Sequence, residues 1–358
     1  MAFKIPFITN PGMKQSQIGL EVYSYLGGRM QNWAILVFDH IVFACVEFWG
    51  ICRHNRLWRK YLRIAQKGGR VPCLSFPRVE NDKFYWRKTI DHNPDFVTVS
   101  DKLASKDWAI KAGCTIPSPS TLWSGESLKE LPKHLLGEQA ILKSNNSYGQ
   151  CFRLGQPDLT FEMVQATAKD WFKLQHWKRC YEIAYKYVTP QYLVEQLLEN
   201  ADGTIVEIKF LTYGSRVVRA ILIESQNGVR KAQVWDLYPD GRKILSPKKT
   251  VIGEGELHRD IPPDDTAIEV ASLLGSYFDH IRVDLYLVSD RYYLGELTVY
   301  DMAGMFSPVG LDLEIISNTS WDLRRAWFFK EKQTWYWEVY KFAYLRHATR
   351  VFGELDAS

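Results

Sequence analysis

The chain has 358 residues, 46% of them hydrophobic, with charge well mixed along its length, which suits a folded protein of two or three units. Its 45 Lys and Arg against 41 Asp and Glu leave a net charge of +4, so there is no overall electrostatic case for nucleic acid. Thirteen Trp, 19 Tyr and 18 Phe suit a polymer- or lipid-facing surface without requiring one.

The opening stretch, MAFKIPFITNPGMKQSQ, lacks a charged n-region, a long apolar run and a cleavage site, so it does not read as a signal peptide and points to the cytoplasm. Residues 1–75 read as helical up to the break at Gly68 and Gly69. Within them, NWAILVFDHIVFACVEFWGIC (32–52) is apolar enough to raise a membrane question. Asp39, His40 and Glu47 interrupt it, each expensive at a bilayer centre, and the cationic, aromatic RHNRLWRKYLR follows. Three readings stand: a buried helix followed by a basic amphipathic one, peripheral docking of residues 32–64 on an anionic membrane face, and a spanning helix.

VSDKLASKDWAIKAGCTIPSPS (99–120) predicts a helix capped by Asp101 and ended by Gly113, with Lys102 at its start after a strand. QAILKSN predicts a strand ending at Lys143. The turn SNNSYGQ and a returning strand CFRL follow. Residues 160–187 read as helical, and QYLVEQLLE as a strand. A hairpin turns at Tyr213-Gly214-Ser215, and KAQVWDLYPDGRKI adds a strand and turn. PPDDTAIEVASLLGSYF reads as a helix with acids in its first turn, HIRVDLYLVSDRYYLGELTVYDMAG as a second hairpin, and residues 319–358 as a Trp-rich helical tail whose rings suit packing on the N-terminal helices, sugar stacking or an interfacial belt. The six cysteines are irregularly spaced and read as reduced, mostly buried thiols; His258 and His280 read as structural. Mixed strands and hairpins point to α+β. There is no P-loop, G-x-G-x-x-G or G-x-S-x-G motif, nor any pattern of a nucleophile with its base.

The chemistry gathers on the second hairpin. Arg282, Asp284 and Tyr286 alternate with Ile281, Val283, Leu285 and Leu287, so one face packs a core and the other looks into a cleft. On the returning strand Tyr292, Leu294, Glu296 and Thr298 are expected to share a face. Asp284 stands opposite Glu296 if the loop has an odd number of residues, as Ser289-Asp290-Arg291 would; a two-residue loop would turn Glu296 away. Two facing carboxylates suit Mg²⁺, which binds through one or two carboxylates plus substrate phosphates, and Arg282 can fork onto a phosphoryl oxygen. Upstream, Lys102 starts a helix, Lys143 ends a strand, the loop Ser144–Gly149 can offer backbone amides and hydroxyls to phosphate oxygens, and Glu195 closes an apolar strand whose backbone can read a purine edge.

In this order the segments resemble the ATP-grasp fold, in which two α+β lobes clamp ATP. DK…K…AGCTIP is similar to its entry helix, ILKSNNSYG to its phosphate lysine and loop, VEQLL to its adenine hinge, and RVDLY…LGEL to its metal strands. The run from about 80 to 313 resembles the TupA-like branch, associated with bacterial cell-surface polysaccharide biosynthesis. ENDKFYWRKTIDHNPDF, EIKFLTYG, VWDLYPDG and GMFSPVGLDLEI add to the match. The resemblance implies five segments: a helical 1–78, an α/β subdomain 79–135, a small lobe 136–196, a large lobe with the metal site 197–318, and the tail.

It also implies roles. Lys102 and Lys143 bind ATP phosphates, under a loop carrying Ser147 and Gly149. Glu195 accepts from the adenine amino group while the backbone of Gln196 and Leu198 reads the ring. Asp202 reaches the ribose and Lys209 the γ-phosphate. Asp284 and Glu296 hold Mg²⁺, with Thr298 where many ATP-grasp enzymes have Asn, and Arg282 steadies the transferred phosphoryl. The implied reaction is carboxylate–amine ligation through an acylphosphate, on a surface glycan or its precursor, with a carboxylate substrate and an amine co-substrate. A sugar kinase using the same site and a nucleotide-binding scaffold of a glycan-assembly complex are the alternatives.

Overall fold

This computed structural model describes residues 15–246, 255–257, 262–305 and 318–355. His258, the first fourteen residues and most of GMFSPVGLDLEI lie outside them.

Two long helices open the described chain, α1 (Gln15–Arg53) and α2 (Asn55–Lys67). Next comes α3 (Glu80–Thr89), whose ten residues are all buried. A helix so rich in charge can be buried only if each charge finds a partner. Arg87 pairs with Asp279 at 2.7 Å, and Lys83 donates to the carbonyls of Asn318 and Trp321. Lys88 donates to those of Cys180 and Ala303. The helix is therefore the hub on which the rest is assembled.

Helices α4 (Asp95–Ser100) and α5 (Ala104–Lys111) lead into the first sheet. Its strands are β1 (Thr121–Gly125), β2 (Ala140–Ser144), β3 (Cys151–Arg153) and β4 (Tyr192–Gln196), in the antiparallel order β1-β4-β2-β3. Helix α6 (Phe161–Ala168), capped by the Thr160 hydroxyl, and α7 (His176–Cys180) lie between β3 and β4. Residues 160–187 are thus short pieces rather than one helix, and Tyr181 ends α7 in a left-handed conformation at φ 56°.

The second sheet runs β11-β10-β5-β6-β7-β8. It comprises β5 (Ile205–Tyr213), β6 (Arg216–Gln226), β7 (Val229–Leu237), β8 (Lys243–Leu245), β10 (Ile281–Val288) and β11 (Arg291–Thr298), with β9 (Gly255–Glu256) parallel to β7. Helix α8 (Asp265–Gly275), with Asp265 in its first turn and capped by the Asp264 carboxylate, lies across β5, β6 and β10. It covers the face carrying Ile281, Val283 and Leu285, all fully buried. Gly275 is required there, because a Cβ would come within 2.5 Å of the Thr212 hydroxyl.

The tail supplies α9 (Trp327–Lys330) and α10 (Trp335–Phe352). Helix α10 packs on α1, as expected, with Tyr340 Oη donating to Ser75 O at 3.0 Å and Arg346 pairing with Asp39. The α+β expectation holds. Four further details differ. Asp101 does not cap α5, whose N-cap position is Leu103. None of the six cysteines is buried; Cys45, Cys52 and Cys151 are exposed. Lys102 follows a helix, α4, not a strand. And β4 ends at Gln196, so the last residues of QYLVEQLLE leave the ladder.

Candidate active site

The β10–β11 hairpin reaches the expected pairing by an unexpected route. Its loop is Ser289-Asp290, both left-handed (φ 46° and 60°), with Val288 paired to Arg291. Such a two-residue turn matches the twist of the strands. The pairing then slips by one residue between Asp284 and Leu285, where Gly295 has no partner, and Asp284 faces Glu296. The bulge supplies the odd residue that had been assigned to the loop. It also corrects the face assignment. Leu294 belongs to the core face with Leu297, and Tyr293, Glu296 and Thr298 join Asp284. A Cβ at Gly295 would lie 2.8 Å from the Tyr286 ring and 3.1 Å from Asp284 O, so the bulge needs glycine.

Across the other edge of β10, Asp284 pairs with Lys209 of β5. Asp284 is buried, and its oxygens accept from Arg282 at 2.7 Å and Lys209 at 2.8 Å. Burial alone would raise its pKa; the charges of Arg282 and Lys209 outweigh that and hold the carboxyl below its ordinary value. Burial would likewise lower Lys209, but Asp284 and Glu207 hold it above its ordinary value. Arg282 also pairs with Asp301 and donates to Thr298 Oγ1 at 3.0 Å, so Thr298 stands behind the acidic pair.

The first sheet offers the opposing surface. Glu195 of β4 is buried, with Lys143 of β2 at 2.8 Å and Lys106 of α5 at 2.6 Å. Burial opposes its ionisation; Lys143 and Lys106 prevail and hold it below its usual range. Glu195 thus fixes the position of Lys143. Lys102 links the sheets, its Nζ lying 2.6 Å from Ser147 O in the β2–β3 loop and 3.4 Å from Glu296 on β11. The Ser147 hydroxyl donates to Gln150, and Gly149 is left-handed with open space around it. A small cavity of about 70 Å³ opens between Ile141, Lys143, Gln196, Leu198, Ile205 and Tyr286, so β2, the end of β4 and β10 share one space.

Twelve of the thirteen sequence-derived residues therefore fall on the two facing surfaces and the loop between them. Asp202 does not: it sits in the β4–β5 turn, its carboxylate accepting from Thr204 N at 2.9 Å. Sequence reading missed Lys106, one helical turn beyond Lys102, and Asp301, just past β11. It also missed Glu182, which is buried with one carboxylate oxygen lacking a hydrogen-bond partner among the described residues. Burial pushes Glu182 up to about 7, with Lys88, Glu296 and Lys102 as its charged neighbours.

The donor set fits a hard divalent cation. It is carboxylate oxygen only, and the nearby cations Lys209, Arg282 and Lys102 suit the phosphates such a cation carries. Among the described residues no group of three or more His, Cys, Asp or Glu side chains could by itself hold a metal ion.

The TupA-like ATP-grasp family model matches residues 82–317. No curated protein matches the chain. Among solved structures it is similar to the ATP-grasp ligase PsnB with a minimal precursor (14% identity, 66% of this chain and 64% of that one, TM-score 0.34). It is similar also to the ADP complex of the N5-carboxyaminoimidazole ribonucleotide synthetase PurK (14%, 56% and 45%, 0.33). A third likeness is to the D-alanine–D-alanine ligase of Bacillus anthracis with ATP (13%, 62% and 65%, 0.32). The chain spans less than two thirds of the length of each. Those superpositions are loose, and the assignment rests on the family match across two thirds of the sequence: the chain belongs to the TupA-like ATP-grasp family.

Proposed function

We propose that this chain is an ATP-dependent carboxylate–amine ligase that modifies a cell-surface polysaccharide or its precursor from the cytoplasmic side. The observation that carries the reading is Lys102, which contacts both the phosphate loop at Ser147 and the acidic strand at Glu296. A nucleotide with its adenine against Gln196 and Leu198 would extend its phosphates past Lys143 and Lys102 toward Lys209. Asp284 and Glu296 would hold Mg²⁺, with Thr298 beside them; the metal neutralises phosphate charge during transfer. Arg282 would steady the γ-phosphoryl as a substrate carboxylate attacks it. An amine then displaces phosphate from the acylphosphate to leave an amide. These residues act by position and charge, which suffices for phosphoryl transfer. Ser147 and Gly149 would close over the phosphates, and Glu195 would keep Lys143 in place and receive the adenine amino group; Asp202, its carboxylate held on Thr204 N in the β4–β5 turn, has no part in this arrangement.

ADP release tests the reaction class. Ligation needs both a carboxylate and an amine for full turnover. Turnover with a sugar hydroxyl alone would make it a kinase, and no substrate-stimulated turnover would make it a scaffold.

A further inference from the structure

Helix α1 divides its side chains sharply. Inward go Asp39, Phe43, Val46 and Gly50, all buried. Asp39 accepts from Arg346 Nε at 3.2 Å and lies 3.4 Å from Arg350, both on α10. Glu47 accepts from the backbone amides of Leu74 and Ser75, each at 2.7 Å. The two acids that break the apolar run are therefore engaged with the body of the protein. Outward go Trp33, Leu36, Val37, Ile41, Ala44 and Phe48, with Trp33 at 69% and Phe48 at 70% exposure.

The apolar surface continues onto α10. The Arg346 guanidinium lies over the rings of both Phe38 and Phe342, at 6.0 and 4.7 Å, so these two exposed rings flank one cation. Trp335, 79% exposed, and Tyr336 extend the α10 side. Exposed apolar area on this scale marks an interaction surface. What it takes is indicated by the helix that follows. On α2, Leu57, Tyr61 and Ala65 are buried, and Arg56, Arg59, Arg63 and Lys67 share the exposed face at helical spacing. With Arg53 they form a cationic row at the end of the apolar stripe, and α2 contains no acid.

We propose that α1, α2 and the start of α10 dock the protein on an anionic lipid surface. The exposed apolar side chains enter the headgroup boundary, Trp33, Trp335 and Tyr336 sit at its level, and the α2 cations meet lipid phosphates. Docking is peripheral. The 21 residues Trp33–Arg53 are long and apolar enough to cross a bilayer. Crossing would, however, strip Asp39 from its arginines and Glu47 from its amides. The inference is independent of the reaction.

The test uses the full chain in vesicle flotation. Vesicles of phosphatidylglycerol and phosphatidylcholine in equal parts should carry the protein up the gradient, pure phosphatidylcholine should carry far less, and added salt should release it. Ile41→Glu with Phe48→Glu, and separately Arg56→Glu with Arg59→Glu and Arg63→Glu, should each weaken binding by about tenfold or more. Nucleotide binding and far-UV circular dichroism should stay at the wild-type level. Absence of wild-type flotation with the anionic vesicles overturns the proposal, whether or not the face then pairs with a second copy or another protein. So does charge-reversed protein that binds equally well. Resistance to alkaline carbonate extraction from native membranes would show a spanning helix and overturn it too.

Discussion

Asp284 and Glu296 stand opposite each other because Gly295 is left unpaired between them and the turn. Moving that one residue into the ladder would place glycine, not glutamate, beside Asp284. Strand register in a half-buried sheet decides which side chains meet, and here a bulge sets it.

Gly295→Ala tests the bulge. Its Cβ would press on Tyr286 and on the Asp284 carbonyl. We expect a loss of about 1–3 kcal/mol in thermal or denaturant unfolding, typical of overpacking, together with weaker ATP binding because Tyr286 lines the cavity beside Lys143 in which we propose the nucleotide sits. Wild-type stability and affinity together would contradict the packing.

Asp284→Asn should abolish Mg²⁺-dependent turnover, and the structure adds a second consequence. Asp284 neutralises the buried Arg282 and Lys209, and removing one partner of a buried pair costs about 3–5 kcal/mol. The variant should unfold measurably earlier than wild type. Because the native pKa is held down, wild-type stability from this group is present at neutral pH and lost as pH falls below the ordinary carboxylate range. Asn removes that dependence. Unchanged turnover with a folded variant would remove the metal role.

Lys143→Ala should weaken ATP binding by about tenfold, or 1.4 kcal/mol, in calorimetric titration. The fold should survive, since Lys106 still pairs with Glu195. Unaltered affinity would take Lys143 out of the site.

Asp91 offers a pH test away from the chemistry. It is buried, with one oxygen unpartnered among the described residues, and burial pushes it up to about 8. The folded state holds this proton through a window in which the unfolded chain has released it. Stability from this group therefore falls as pH rises from the ordinary carboxylate range toward 8. Asp91→Asn should flatten that decline and raise stability above pH 8 by about 1–3 kcal/mol. An identical pH–stability curve would show that Asp91 is ionised in the fold.

Much of this was legible in the sequence because alternation and turn chemistry are local. The apolar face of β10, the Tyr213–Arg216 hairpin and the acidic start of α8 each follow from residues close in the chain. The bulge was not legible: one unpaired residue changes the parity of a hairpin without changing its composition. Lys106 and Glu182 were missed because a lone charged residue reads as solvated until the fold buries it. The Glu195 carboxylate, expected at the adenine edge, turns out to be flanked by two lysines, a relationship that needs α5 and the first sheet in place together.

The central claim is a magnesium-bound triphosphate held by two strands, and Glu296 tests it most cleanly because it lies outside the buried Asp284 cluster. Calorimetric titration of ATP with and without Mg²⁺ should show a gain in affinity of about tenfold or more in the wild type, and Glu296→Gln should lose that gain while still binding metal-free ATP. An equal Mg²⁺ gain in both proteins would contradict the account.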